Sequence, residues 1–209
     1  MSTMTLPDAG PEIEAYYAGL RIHLLPAVPM TQDQFFELCQ QNRKLRLERT
    51  AQGELIIMSP SGGGTGRRNF SVIGQLYNWV DLDGTGEGFD SSAGFVLPNG
   101  AIRSPDASWI LKARMASLTE AEKEKFIPLC PDFLVEVMSP TDSLTQTKEK
   151  MEEYIENGLR LGWLIHPKKK QVHVYRPGQP AQVLDNPQTV SGNPELPGFV
   201  LDLEPMWRP

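Results

Sequence analysis

The chain has 209 residues, 40% hydrophobic and 22% charged, with a formal net charge of −6. That suits one large globular domain with a full core and excludes a protein that coats nucleic acid by bulk charge alone. Two cysteines, Cys39 and Cys130, rule out a disulfide framework or a Cys-rich zinc site.

No apolar run approaches the roughly 18 residues of a membrane span, and no basic start precedes an apolar stretch as in a secretory signal. The cytoplasm is the expected location. Residues 1–29 hold four prolines and little periodicity, which predicts an extension over the surface of a domain spanning 30–209. Thr31–Asn42 predicts a helix capped by Thr31, with Phe35, Phe36, Leu38 and Cys39 as its apolar stripe. A hairpin follows, 44–50 and 54–58, turning at Ala51-Gln52-Gly53. In its first strand Leu45 and Leu47 share one face and Lys44, Arg46 and Glu48 the other.

The glycine-rich stretch 61–69 reads as a flexible loop, because no Walker or dinucleotide fingerprint accompanies it. A helix is expected from about Asn69 to Val80, with Ile73, Leu76, Tyr77 and Val80 on its buried side. Arg67 and Arg68 beside the loop are candidate phosphate contacts, with solvated surface as the plainer reading. Residues 88–98 and 101–111 predict two strands joined at Asn99-Gly100. Capping boxes open helices at Thr119 and at Ser143, the second helix ending near Gly158. A hairpin of 161–166 and 171–175 turns at Lys168–Lys170, and residues 178–209 read as a closing β segment. His23, His166 and His173 form no metal-binding spacing. The pattern predicts an α/β or α+β fold, a mixed central sheet with helices on its faces and additional hairpins.

Within this frame, Pro131–Pro140 reads as one buried strand with an acid in its middle. Phe133, Val135 and Val137 share one face; Asp132, Leu134, Glu136 and Met138 share the other. An unpaired buried carboxylate is costly, so Glu136 needs a cation, a metal or a proton beside it. Glu48 and Asp106 also lie on expected strands, and Lys150 lies on the helix after Glu136, about 100° from Met151 on the flank of a stripe formed by Leu144, Met151 and Ile155. Carboxylates on neighbouring strands suit a hard divalent cation such as magnesium.

Asp106 after Pro105, followed by Glu136 on the next apolar strand, resembles the PD-(D/E)xK nuclease superfamily. The succession Leu47-Glu48, Met58-Ser59-Pro60, Ser104-Pro105-Asp106, Pro131–Pro140, Lys150 with Tyr154, and Gly162-Trp163-Leu164-Ile165-His166-Pro167 is similar to the Uma-two family of restriction-endonuclease-like proteins, over residues 30–205. The resemblance implies a restriction-endonuclease-like fold. It also implies hydrolysis of phosphodiester bonds in nucleic acid, with DNA the expected substrate. Asp106, Glu136 and Glu48 would hold magnesium or manganese, and Lys150 would complete the catalytic set. Met138 stands where the superfamily lysine normally lies, so Lys150 would be a relocated equivalent. Thr65 or its surroundings lack the histidine that many relatives carry. A homodimer is implied as well. Two other readings compete: a non-catalytic binding or regulatory module on the same fold, and a two-carboxylate hydrolase such as a glycosidase.

Overall fold

The computed structural model describes residues 30–208 and the backbone of residues 20–23. The first half of the chain forms β1 (Leu20–His23), α1 (Gln32–Gln41), β2 (Arg46–Arg49), β3 (Glu54–Met58), α2 (Gly63–Asp83), β4 (Gly86–Asp90), β5 (Phe95–Val96), β6 (Ile102–Arg103) and β7 (Ala107–Leu111). Two short helices, α3 (Lys112–Met115) and α4 (Glu120–Lys123), precede β8 (Phe133–Val137), α5 (Leu144–Glu156), β9 (Leu161–His166) and β10 (Gln171–Tyr175). The chain closes with β11 (Gln182–Asp185), β12 (Thr189–Ser191), β13 (Val200–Asp202) and α6 (Glu204–Trp207). Most of the expected extension at 1–29 lies outside the described residues; within it Leu20–His23 forms an edge strand paired with β3.

Strands β1-β3-β2-β6-β5 make one sheet and β11-β10-β9-β8-β7-β4 a second, with β12 and β13 paired apart. The pairings are antiparallel except that of β8 with β9, a parallel pair that requires a crossover, here α5. This is the expected α+β architecture with a mixed central sheet.

The ribbon 86–111 carries the site from one sheet to the other. Its tip pairs β5 with β6, Phe95 opposite Arg103, and closes at Gly100, whose φ of 87° suits glycine. Its base pairs β4 with β7, Gly88 opposite Trp109. The tip joins the five-stranded sheet through Arg49 and Ile102, whereas the base joins the six-stranded sheet through β7 and β8. The two predicted strands are therefore each broken, at 91–94 and at Ser104-Pro105-Asp106. Proline has no N–H to give a ladder, so the second break costs little pairing. Asp106 sits at that junction.

Helix α2 corrects the loop expected at 61–69. It starts at Gly63, with Gly62 as an N-cap that has no side-chain hydrogen bond. Helical glycine is unfavourable by about 1 kcal/mol against alanine, and tertiary contacts override that preference. Thr65 and Asn69 are buried, Arg68 Nε donates to the Met206 carbonyl at 3.0 Å, and Asn69 donates to Asp106. The helix buries Val72 and Leu76 as its inner side, and Tyr77, expected inside, is 65% exposed.

Two apolar layers enclose the six-stranded sheet. Phe133, Val135 and Val137 pack with Val72, Leu76 and the C-terminal Leu196, Phe199, Leu201 and Met206. Leu134 and Met138 pack on the opposite side with Met151 and Tyr154 of α5. The face division read from the sequence of β8 is the one present. Glu136 thus points to the α5 side, where Lys150 can meet it.

Candidate active centre

Glu48 comes from β2, Asp106 from the break between β6 and β7, Glu136 from β8 and Lys150 from the second turn of α5. Together they line a cleft of about 820 Å³ between the two sheets. Its walls are the approach to α2, Ser59 to Gly62, and the loop into α5, Ser139 to Ser143.

Lys150 is the hub. Its Nζ donates to Glu48 Oε1 at 2.9 Å and lies 2.8 Å from Glu136 Oε1. The Tyr154 hydroxyl donates to the same Glu136 oxygen at 3.2 Å. Lys150 and Tyr154 lie one helical turn apart, so both reach the same strand residue. Asp106 joins this set through the backbone: its Oδ2 accepts the Val137 N–H at 2.8 Å and its Oδ1 accepts Asn69 Nδ2 at 2.7 Å. These bonds dock the Ser104–Asp106 break against the end of β8.

Glu48 is 2% exposed, yet it remains ionised. Burial pushes its pKa up, but Lys150 and Arg103 with the Ser104 N–H outweigh burial and bring it from 4.5 to about 2. Its Oε2 accepts from Arg103 Nη1 at 3.1 Å and its Oε1 from the Ser104 N–H at 3.0 Å. Glu136 goes the other way. Burial raises it, Lys150 opposes, and the like charges of Asp106 and Glu48 add to the rise, to about 7. Asp106 is also raised, by burial, against the Val137 N–H and Lys150. Burial lowers the Lys150 pKa, but Glu136 and Glu48 overcome it and keep the ammonium charged.

All four residues singled out for catalysis are therefore brought together. Arg67 and Arg68 are not brought to the cleft. Arg67 Nη2 donates to the Arg208 carbonyl at 3.0 Å, and Arg68 donates to the Met206 and Arg208 carbonyls, fastening the C-terminal segment to α2. Arg103 is the residue that sequence reasoning missed. It is buried and bridges Glu48 to Glu153, whose Oε2 lies 2.6 Å from Nη2. The available signal was an arginine in the apolar run Ala101-Ile102, directly before Ser104-Pro105-Asp106. Glu153 offered another, three residues after Lys150 on the same helix face.

Among the described residues no three His, Cys, Asp or Glu side chains form a ready metal cage. The donor set nevertheless fits a hard cation. Seven carboxylates line the cleft against three cationic side chains, and Glu136, its pKa raised first by burial and then by the like charges of Asp106 and Glu48, is a carboxylate that a bound cation would stabilise. Asp106 and Glu136 offer the oxygen ligands that magnesium prefers.

The family model of Uma2, described as "Putative restriction endonuclease", matches residues 32–204. No curated protein matches the chain. Among solved structures, one described as "a putative nuclease belonging to DUF820 from Anabaena variabilis" superposes with a TM-score of 0.70 at 22% identity, covering 86% of this chain and 98% of that one. The shared fold is restriction-endonuclease-like. No helix among the described residues is long and apolar enough to cross a membrane.

Proposed function

Because the chain belongs to the Uma2 family, we propose that this cleft is the active centre of a divalent-metal-dependent endonuclease. The full reading is a magnesium- or manganese-dependent enzyme that hydrolyses phosphodiester bonds of DNA, acting in the cytoplasm as a homodimer whose catalytic domain spans 30–209. One observation carries it: Glu48 and Glu136 converge on a single lysine, with Asp106 bonded to the backbone next to Glu136.

Asp106 and Glu136 would hold the ion. Once bound, the ion would supply charge stabilisation at phosphate oxygens and activation of a water. In this reading Glu48 holds Lys150 rather than the metal, since Lys150, Arg103 and the Ser104 N–H already occupy its oxygens. Lys150 keeps a fixed positive charge at the cleft floor, where charge develops on a phosphate. Tyr154 orients Glu136 through its hydroxyl. The negative lining also accounts for metal dependence, because a polyanion entering a cleft with an excess of carboxylates needs a cation between them.

Titration calorimetry with magnesium or manganese, run beside cleavage of plasmid and oligonucleotide DNA, tests this. Asp106→Ala/Glu136→Ala should lose both metal binding and cleavage while keeping the wild-type circular dichroism spectrum. Lys150→Ala should lower turnover more than metal affinity. Cleavage retained by the double variant refutes the assignment. A wild type that neither binds metal nor cleaves favours the non-catalytic module.

A further inference from the structure

Helix α2 presents an outer face that nothing within the described chain explains. Phe70 is 79% exposed and Tyr77 65% exposed, large apolar side chains seven residues and about two turns apart on one line. Gly66, Arg67 and Asp81 are exposed on the same stripe, and Gly74 lies between the two aromatics. A Cβ placed on Gly66 or Gly74 would meet no atom within 4 Å. Neither glycine is therefore required by packing inside this chain, although each weakens the helix relative to alanine. What they create is a backbone bare enough for another helix to approach closely.

The stripe is also self-complementary. Arg67 precedes Gly74 by seven residues and Asp81 follows it by seven. An antiparallel copy of α2 crossing at Gly74 brings Arg67 of each copy to Asp81 of the other. It also sets each Phe70 beside the partner's Tyr77. Any other single partner would need to supply this charge order; a second copy has it by symmetry, as an isologous interface demands. Arg67 is exposed and already donates to the Pro205 and Arg208 carbonyls, so the contact with the partner's Asp81 would add to those bonds.

We propose that two copies of this chain pair through α2 about a twofold axis at Gly74. This deepens the homodimer of the functional reading by naming its surface, and it rests on that reading only for the consequence. Gly62 and Thr65, at the start of the same helix, line the cleft, so the pair would connect the two clefts through one rigid element.

The test is sedimentation of the full chain from about 1 to about 100 μM, with thermal melts and metal calorimetry on every variant. Wild type should show a monomer–dimer equilibrium. Phe70→Glu/Tyr77→Glu should be monomeric with an unchanged melt. Asp81→Arg should weaken pairing at least tenfold, and Arg67→Glu added to it should restore pairing. Gly74→Cys should oxidise to a disulfide-linked dimer, since a residue on the axis meets itself. A monomeric wild type across the range overturns the pairing, as does a dimer that survives the double glutamate variant. Metal binding at Asp106 and Glu136 is read separately, so a monomeric wild type that still binds metal rejects this surface without touching the metal-centre reading.

Discussion

Replacing Glu136 by glutamine removes a charge that the fold holds at a cost. Burial, with the nearby Asp106 and Glu48, raises the Glu136 pKa from 4.5 to about 7 against the opposing pull of Lys150. Between those values the folded chain retains a proton that the unfolded chain has released. Wild-type stability therefore falls as pH rises through this window. At about 1.4 kcal/mol per pH unit, the span corresponds to about 3 kcal/mol. Glutamine resembles the protonated acid and cannot titrate. The stability difference between Glu136→Gln and wild type should thus shift by about 3 kcal/mol in favour of the variant from about pH 4 to about pH 8. The acid-side loss from Glu48, whose folded pKa is about 2, occurs in both chains and largely cancels in the difference. Urea unfolding followed by fluorescence of the buried Trp109 and Trp163 measures it directly. Parallel stability curves, or a difference that grows towards acid, would refute the reasoning.

Two further substitutions test the support around the site. Arg103→Leu leaves Glu48 and Glu153 without the cation that bridges them, and should cost about 3–5 kcal/mol in denaturant unfolding at neutral pH; a loss below about 1 kcal/mol would make the bridge incidental. Phe199→Ala removes the ring stacked on Trp163 at 5.6 Å and in contact with Phe133. It should cost about 3–5 kcal/mol and release the C-terminal segment from the sheet, which faster proteolysis after residue 196 would report.

Signals confined to neighbouring residues were readable without the fold. Thr31 and Thr119 close full capping boxes, although Ser143 caps its helix without the return bond from Gln146. Gly53 and Gly100 take the positive φ that their turns require. The alternation in β8 assigned Glu136 to one face, and the burial of both faces followed from its apolar run. The order of acids and lysine carried the family and pointed to the candidate site.

What the sequence did not contain was the set of contacts between distant segments. Residues 62–66, glycine at every position but Thr65, carry the local signature of a loop, and only docking against Asp106 and residues 206–208 makes part of that stretch the first turns of a 21-residue helix. Tyr77 fits the helical period but faces outward, because the rotation of α2 is set by Asn69, Val72 and Leu76 meeting the sheet. Arg103 looked like a strand residue of no consequence until Glu48, 55 positions earlier, and Glu153, 50 positions later, closed around it. The sequence by itself determined most of the elements, the caps at Thr31 and Thr119 and the order of Glu48, Asp106, Glu136 and Lys150, since those depend on spacing along a few turns or a single strand. Only the tertiary structure decided which charges are paired and which pKa values move, because burial and Coulomb energy depend on distances in space that spacing along the chain does not encode.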